Sequence, residues 1–359
     1  MTLPLIALLG RKDQPTDAVE DYCRYLGAAL APHDFQLEIR RVPWDSRGWA
    51  GSLEALRLMS DGWRDRWVVV QYTALAWSSR GLPGKFLRVL FVLAKAGARI
   101  AVVYHDAEPF PGARLVDRFR RFVQVRTMRG ALRFADAAIF TVPLAQISWL
   151  DKLPENAHFI PVGPNLPIPE VAAGERAANE IPCVAVFSIT GGAAGAAEIS
   201  SIAAAVGNAA QKISRLKLSV FGRNADSAES SLRGALRDLP VEITVEGLLE
   251  ESQIVERLSA ADVLLFVRGP ISSRRGSAIA GIACGLPVIA FAGSETAPPI
   301  IEAGVILVAP NNQEELNAAL IRILSDPAHR FELAARSRSV FARYFSWPSI
   351  AAQFASLLK

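Results

Sequence analysis

The densest set of anion-binding groups in the chain lies between residues 268 and 277: Arg268-Gly269-Pro270-Ile271-Ser272-Ser273-Arg274-Arg275-Gly276-Ser277. Guanidinium groups grip phosphate oxygens in pairs, and the N–H groups of a following helix start add further donors. Arg274 and Arg275 are adjacent and cannot both turn inward, so one of the two is expected to face a ligand. A second candidate is the run from Ser188 to Gly195, Ser-Ile-Thr-Gly-Gly-Ala-Ala-Gly. Thr190, Gly191 and Gly192 would let backbone N–H groups approach an anion where a helix dipole favours negative charge. Phe221-Gly222-Arg223-Asn224 adds an arginine at a strand end. Glu246-Gly247-Leu248-Leu249 offers backbone groups for a nucleobase edge and leucines for its faces.

His105-Asp106 also follows a predicted strand. Such a histidine can hydrogen-bond a ligand hydroxyl or take part in proton transfer. Gly10-Arg11-Lys12 comes after the first strand and could approach either an acceptor or a phosphate. Each of these segments has a plain structural alternative, a tight turn or a solvated arginine, which the residues alone leave open. The stretch 114–133 carries Arg114, Arg118, Arg121, Arg129 and Arg133 among Phe119, Phe122 and Leu132. It reads as a basic amphipathic helix that could rest on anionic lipid, with Lys85 and Arg88 nearby in the order of elements.

The elements that position these residues alternate throughout. Apolar runs at 3–9, 36–42, 67–72, 99–104, 137–142 and 159–162 predict six strands. Helical patterns at 17–31, 50–62, 84–97 and 115–134 fall between them. The rhythm stops at 161–181, rich in proline and small polar residues, which reads as a linker. It restarts with strands at 183–187, 216–221, 241–246, 262–267, 287–291 and 305–308. Helices are expected at 196–213, 228–238, 252–260, 277–284, 313–324, 328–344 and 348–358. Continuous apolar strands between amphipathic helices mean parallel sheets covered on both faces. The expected class is α/β, with Rossmann-like domains over 1–165 and 166–345.

At 359 residues the chain is too long for one ordinary core, and with 51% apolar and 21% charged residues each half can fold. The net charge of +4 is uneven: residues 1–165 hold 22 Lys/Arg against 16 Asp/Glu, and residues 166–359 hold 17 against 19. The basic half suits an anionic membrane surface or a phosphate-bearing acceptor. Cys23, Cys183 and Cys284 form no CxxC pair, so a reduced cytoplasmic protein is expected. There is no HExxH, no GxxxxGK[ST] and no GxSxG, which leaves zincin, P-loop and serine-hydrolase readings without an anchor. No metal, cofactor or nucleic-acid partner is expected, and neither a signal peptide nor a membrane-spanning stretch is read.

The segment ADVLLFVRGPISSRRGSAIAGIACGLPVIAFAGSETAPPI, above all ACGLPVIAF, resembles nucleotide-sugar glycosyltransferases of the GT-B fold, family 4 type (glycosyl transferases group 1). The likeness continues in YHDAEPF, ADAAIFTVP, HFIPVGPNLP, VEITVEGLLEESQIVERLSAADVLLFV and the terminal YFSWPSIAAQF, which is similar to that family's closing helix and implies that 346–359 packs back on the first domain. It implies a nucleoside diphosphate sugar donor against the second domain and an acceptor on the first. It puts His105 near the transferred sugar, Leu248 in the loop over the base and Ser277 beside the phosphates. The paired glutamates of that family fall at Ser272 and Ala280 here, and its arginine and lysine fall at about Ser188 and Ala194. Arg223, Arg268 and one of Arg274 and Arg275 are then the cations left for the diphosphate. The implied activity is hexosyl transfer to a saccharide or lipid-linked acceptor in surface polysaccharide assembly, at the cytoplasmic face of a membrane. The alternatives are a silent partner of an active transferase and a sugar-nucleotide epimerase.

Overall fold

The computed structural model describes residues 3–112, 114–168 and 179–359, so residues 169–178 of the predicted linker lie outside the described residues. In chain order the first elements are β1 (Leu3–Leu9), α1 (Ala18–Leu30), β2 (Phe35–Arg41), α2 (Trp44–Ser60) and β3 (Trp67–Tyr72). Then come α3 (Phe86–Lys95), β4 (Arg99–Tyr104), α4 (Leu115–Leu132), β5 (Ala137–Phe140) and β6 (Ala157–Phe159). The next are β7 (Cys183–Phe187), α5 (Gly192–Ala210), β8 (Leu216–Phe221), α6 (Glu229–Ala235), β9 (Val241–Glu246) and α7 (Glu251–Ala260). The chain ends with β10 (Val263–Phe266), α8 (Gly276–Ala283), β11 (Val288–Phe291), β12 (Val305–Val308), α9 (Gln313–Ser325), α10 (Pro327–Val340) and α11 (Trp347–Leu358). Two compact units result, one of Met1–Val162 with Trp347–Lys359 and one of Gly163–Ser346.

The first unit is a six-stranded sheet in the order β2-β1-β3-β4-β5-β6, every pairing parallel. All six residues of β3, Trp-Val-Val-Val-Gln-Tyr, are buried, as a strand covered on both faces requires. Asp17 starts α1 by accepting hydrogen bonds from the Val19 and Glu20 N–H groups at 3.2 Å. Helix α11 packs against α1 through one stripe, Ile350, Ala351, Phe354, Ala355 and Leu358, all buried. At its start Trp347 stacks on Tyr25 with ring centroids 5.7 Å apart and meets Tyr22 at 5.4 Å. Burying Phe354 alone is worth about 1.5–3 kcal/mol.

The second unit repeats the scheme in the order β12-β11-β10-β7-β8-β9, again parallel. Its sheet reverses direction of winding between β7 and β10, as that of the first unit does between β1 and β3. Those are the crevices where open α/β sheets take ligands, at the carboxyl ends of the strands.

Several boundaries differ from the sequence pattern for local reasons. Helix α2 begins at Trp44 rather than at 50 and bends at Gly48, whose φ of 69° is left-handed. Helix α5 starts at Gly192 rather than at 196, taking glycines that read as loop into its first turn. Helix α10 ends at Val340 and continues to Phe345 as a π-helical turn. The sixth strand sits at Ala157–Phe159, because Pro161 has no N–H to continue the ladder.

Candidate functional site

In the first unit the crevice between β1 and β3 opens into a cavity of about 240 Å³. Gly10 and Arg11 after β1, Gln71 and Thr73 from the end of β3, Asp106 after β4 and Asp17 at the start of α1 line it. A side chain at residue 10 would not fit, since a Cβ there would lie 2.3 Å from the Ala76 carbonyl oxygen. That carbonyl accepts hydrogen bonds from Arg11 N–H at 2.8 Å and Trp44 Nε1–H at 2.8 Å, which fixes the cavity wall. Arg41 braces the opposite side, donating to the Gly10 carbonyl at 2.9 Å, Asp17 at 3.0 Å and Glu20 at 2.8 Å.

His105 Nε2 lies 2.8 Å from Gln71 Oε1. With the Gln71 carbonyl oxygen as acceptor, the imidazole donates from Nε2. Tyr22 holds the ring edge-on at 5.0 Å. Gln71 is 2% exposed, and its Nε2 has no hydrogen-bond partner. An unsatisfied buried donor on a cavity wall costs about 1–3 kcal/mol and is the kind of group a polar ligand satisfies. Asp106 Oδ2 accepts from Ala74 N–H at 2.8 Å, so one carboxylate oxygen pins the loop after β3.

In the second unit the crevice lies between the loops after β7 and β10. Ser188 adopts a left-handed φ of 69° and is tied to the loop after β8. Its N–H donates to the Phe221 carbonyl at 2.7 Å, and its Oγ accepts from Arg223 N–H at 3.2 Å. Ile189 is bound the same way, by its N–H to the Arg223 carbonyl at 2.9 Å and by its carbonyl to Asn224 Nδ2 at 2.9 Å. Helix α5 then begins with Gly191 as its cap, which offers no side-chain acceptor. The N–H groups of that first turn therefore lack an internal partner. Only glycine fits at 195, because a Cβ would lie 1.9 Å from the Thr190 carbonyl oxygen.

Glu198, 7% exposed, accepts from Thr190 N–H at 2.8 Å. The Thr190 amide is thus used inside the protein, and the Gly192 end of the turn is what remains for an anion. Burial lowers the Arg268 pKa; the Glu198 carboxylate opposes the shift and the Arg223 charge adds to it. Those three charges therefore form one cluster. The Arg268 Nε is buried and has no hydrogen-bond partner.

The adjacent arginines part company. Arg274 makes a two-pronged pair with Glu295, Nε to Oε2 at 2.8 Å and a terminal nitrogen to Oε1 at 2.9 Å. Burial pushes the Glu295 carboxyl up, but Arg274, with Ser272 and the Arg275 charge, more than offsets this and holds it below the usual carboxylate value. The Arg274 fork is therefore committed within the protein. Arg275 caps α8, with its guanidinium beside Gly269. Gly276 and Ser277 form the first turn of α8, and Ser272 is fully buried beneath it. Ala280, on the same helix, is 2% exposed. Gly247 accepts from Gly222 N–H at 2.8 Å, and Leu248 projects from the loop 56% exposed.

Thr190, Gly191, Gly192, Arg223 and Arg268 are thus gathered around one crevice, and His105, Asp106, Gly10 and Arg11 around another. Gln71, Glu198 and Glu295 were absent from the sequence reading. The first two had a signal: each is the lone polar residue in a run of small or apolar ones, where an uncompensated polar group is costly. Among the described residues no group of His, Cys, Asp and Glu side chains is placed to hold a metal ion.

Residues 198–340 match the family described as glycosyl transferases group 1. A stretch of 137 residues is 27% identical to the GDP-mannose-dependent monoacylated alpha-(1-6)-phosphatidylinositol monomannoside mannosyltransferase of Corynebacterium glutamicum, spanning 36% of this chain and 36% of that one. A glycosyltransferase from Rickettsia africae superposes with a TM-score of 0.70 at 12% identity, over 100% of this chain and 98% of that one. Anabaena Alr3699/HepE, in complex with UDP and glucose, superposes with a TM-score of 0.65 at 15% identity, over 99% of both chains. The two parallel six-stranded sheets with their flanking helices have the GT-B fold.

Proposed function

Starting from a GT-B chain whose residues 198–340 match the glycosyl transferases group 1 family, we propose that it moves a sugar from a nucleoside diphosphate sugar to a hydroxyl acceptor. The observation that carries this reading is the cluster of Arg268, Arg223 and Glu198 around the Thr190–Gly192 turn. A buried guanidinium with an unused donor, beside first-turn N–H groups, suits the diphosphate that leaves as the bond to the anomeric carbon breaks. The acceptor oxygen forms the new bond to that carbon, and its proton passes to an oxygen of the departing diphosphate. His105, oriented by Gln71, is the group offered to the sugar, and Gly10 and Arg11 to the acceptor. Arg275 and the start of α8 add to the phosphate site, while Arg274 acts by holding the loop through Glu295. Leu248 and Gly247 cover the base.

The Corynebacterium relative is named for GDP-mannose and the Anabaena structure holds UDP, so GDP and UDP are the first nucleotides to test. Either, at about a hundredfold over its dissociation constant, should add about 2.7 kcal/mol of stability. Donor-dependent release of nucleoside diphosphate that rises with acceptor supports transfer, and His105→Ala should remove it. Nucleotide binding without release under any acceptor would instead mark a silent partner subunit. Conversion of the donor itself without acceptor would mark an epimerase. The acceptor class proposed is a saccharide or lipid-linked saccharide at the cytoplasmic side of a membrane, for surface polysaccharide assembly.

A further inference from the structure

The outer face of α4 carries a chemistry that sugar transfer does not use. Its buried positions, Asp117, Gln124, Thr127, Met128 and Ala131, form one stripe. On the opposite side, at the i, i+4, i+7 and i+11 spacing of a single helical face, stand Leu115, Phe119, Phe122 and Arg126, with Arg118 beside them and Arg121 at the margin. Leu115 is 81% exposed, Phe119 58% and Phe122 62%. The one carboxylate of the helix, Asp117, faces the core and pairs with Arg120 at 2.9 Å. Arg129, in the last turn, binds Asp151 at 2.8 Å. Among the described residues Arg118, Arg121 and Arg126 form no ion pair. The neighbouring helix α3 exposes a shorter stripe of the same kind, Arg88, Phe91 and Lys95, with the Lys95 ammonium 5.5 Å from the Phe91 ring centre.

We propose that this face of α4 docks on an anionic lipid bilayer. Leu115, Phe119 and Phe122 enter the boundary between headgroups and acyl chains, and Arg118, Arg121 and Arg126 lie at the phosphates. Apolar side chains flanked by guanidinium groups on one helix face match a surface that is apolar below and anionic above. The occupant must be acidic, because the stripe presents cations and no carboxylate. The surplus of basic residues in 1–165 extends the attraction past the helix itself. Among the described residues no helix is long and apolar enough to cross a membrane, so the contact is a surface one. Lipid binding of this kind needs no donor and stands or falls apart from sugar transfer.

Co-sedimentation of the whole chain with sucrose-loaded vesicles tests it. Vesicles with about 30 mol % phosphatidylglycerol should bind the protein, pure phosphatidylcholine should not, and about 0.5 M salt should release it. Each arginine near such a surface is worth about 1 kcal/mol, so R118Q/R126Q should bind about 30-fold more weakly. F119S/F122S should lose at least about tenfold by withdrawing two exposed phenyl groups from the interface. R215Q/R237Q, removing two exposed arginines of the second unit, should bind as wild type, and all three variants should keep the wild-type melting temperature. Equal binding to neutral and anionic vesicles, or wild-type affinity in both α4 variants, overturns the proposal. So does a wild-type dimer that F119S/F122S disperses and that ignores vesicles, since a second copy would then cover the face.

Discussion

Replacing Arg268 by methionine separates a cation kept for a ligand from one kept for stability. The guanidinium is largely buried, its Nε has no partner, and burial together with Arg223 lowers its pKa. An orphaned buried donor costs about 1–3 kcal/mol, and methionine removes it while keeping the apolar stem. The attraction of Glu198 for Arg268 is lost as well, though Glu198 keeps its bond from Thr190 N–H. The free protein should therefore melt no lower than wild type, or up to a few degrees higher, at about 2–4 °C per kcal/mol for a unit of this size. Nucleotide binding should move the other way. Losing a charged hydrogen bond to phosphate costs about 1.5–3 kcal/mol, about 10- to 150-fold in affinity. At a nucleotide concentration a hundredfold over the wild-type dissociation constant, stabilisation of about 2.7 kcal/mol would fall to about 1.4 kcal/mol for a tenfold loss and about 0.4 for a hundredfold loss. Paired melting curves with and without GDP or UDP read both effects. An Arg268→Met variant that melts well below wild type yet keeps its full nucleotide shift would refute the argument, because Arg268 would then be a structural cation.

Three further outcomes are expected. Gly195→Ala should weaken nucleotide binding and destabilise the second unit by about 2–4 kcal/mol, since the Thr190 carbonyl cannot retreat without breaking the turn; unchanged melting and binding would contradict the close approach. Gln71→Leu should lower kcat and shift the His105 ring resonances in NMR, because the ring loses its orienting acceptor, and should raise KM as the cavity wall loses its unused donor; wild-type kcat with shifted resonances would deny the ring a role. Glu295→Gln should cost about 1–3 kcal/mol near neutral pH, because Arg274 exchanges a two-pronged carboxylate for a single neutral acceptor. The folded Glu295 is held below its usual value of 4.5, so its stabilisation is present above that pH and lost as pH falls below it. The wild-type acid melting slope below about pH 4.5 should accordingly flatten in the variant.

The sequence determined the parts whose cause is local. Continuous apolar strands such as Trp67–Tyr72 and Cys183–Phe187, each followed by a helical pattern, dictate parallel sheets, because a strand buried on both faces leaves no polar side to alternate. It also located the loops after β1, β4, β7 and β10, since glycine, arginine and histidine at strand ends are legible one segment at a time. What it could not decide was which side chains meet. Gln71 and His105 are neighbours only because β3 and β4 pair in register, Gln71 opposite Val103. Glu198 joins Arg268 only because the sheet reverses between β7 and β10. Arg274 and Arg275 are equivalent in sequence, and the tertiary structure chose between them by bringing Glu295, from the loop after β11, to the first. Propensity and patterning act over a few residues, whereas the partner of a charge is fixed by the order of strands.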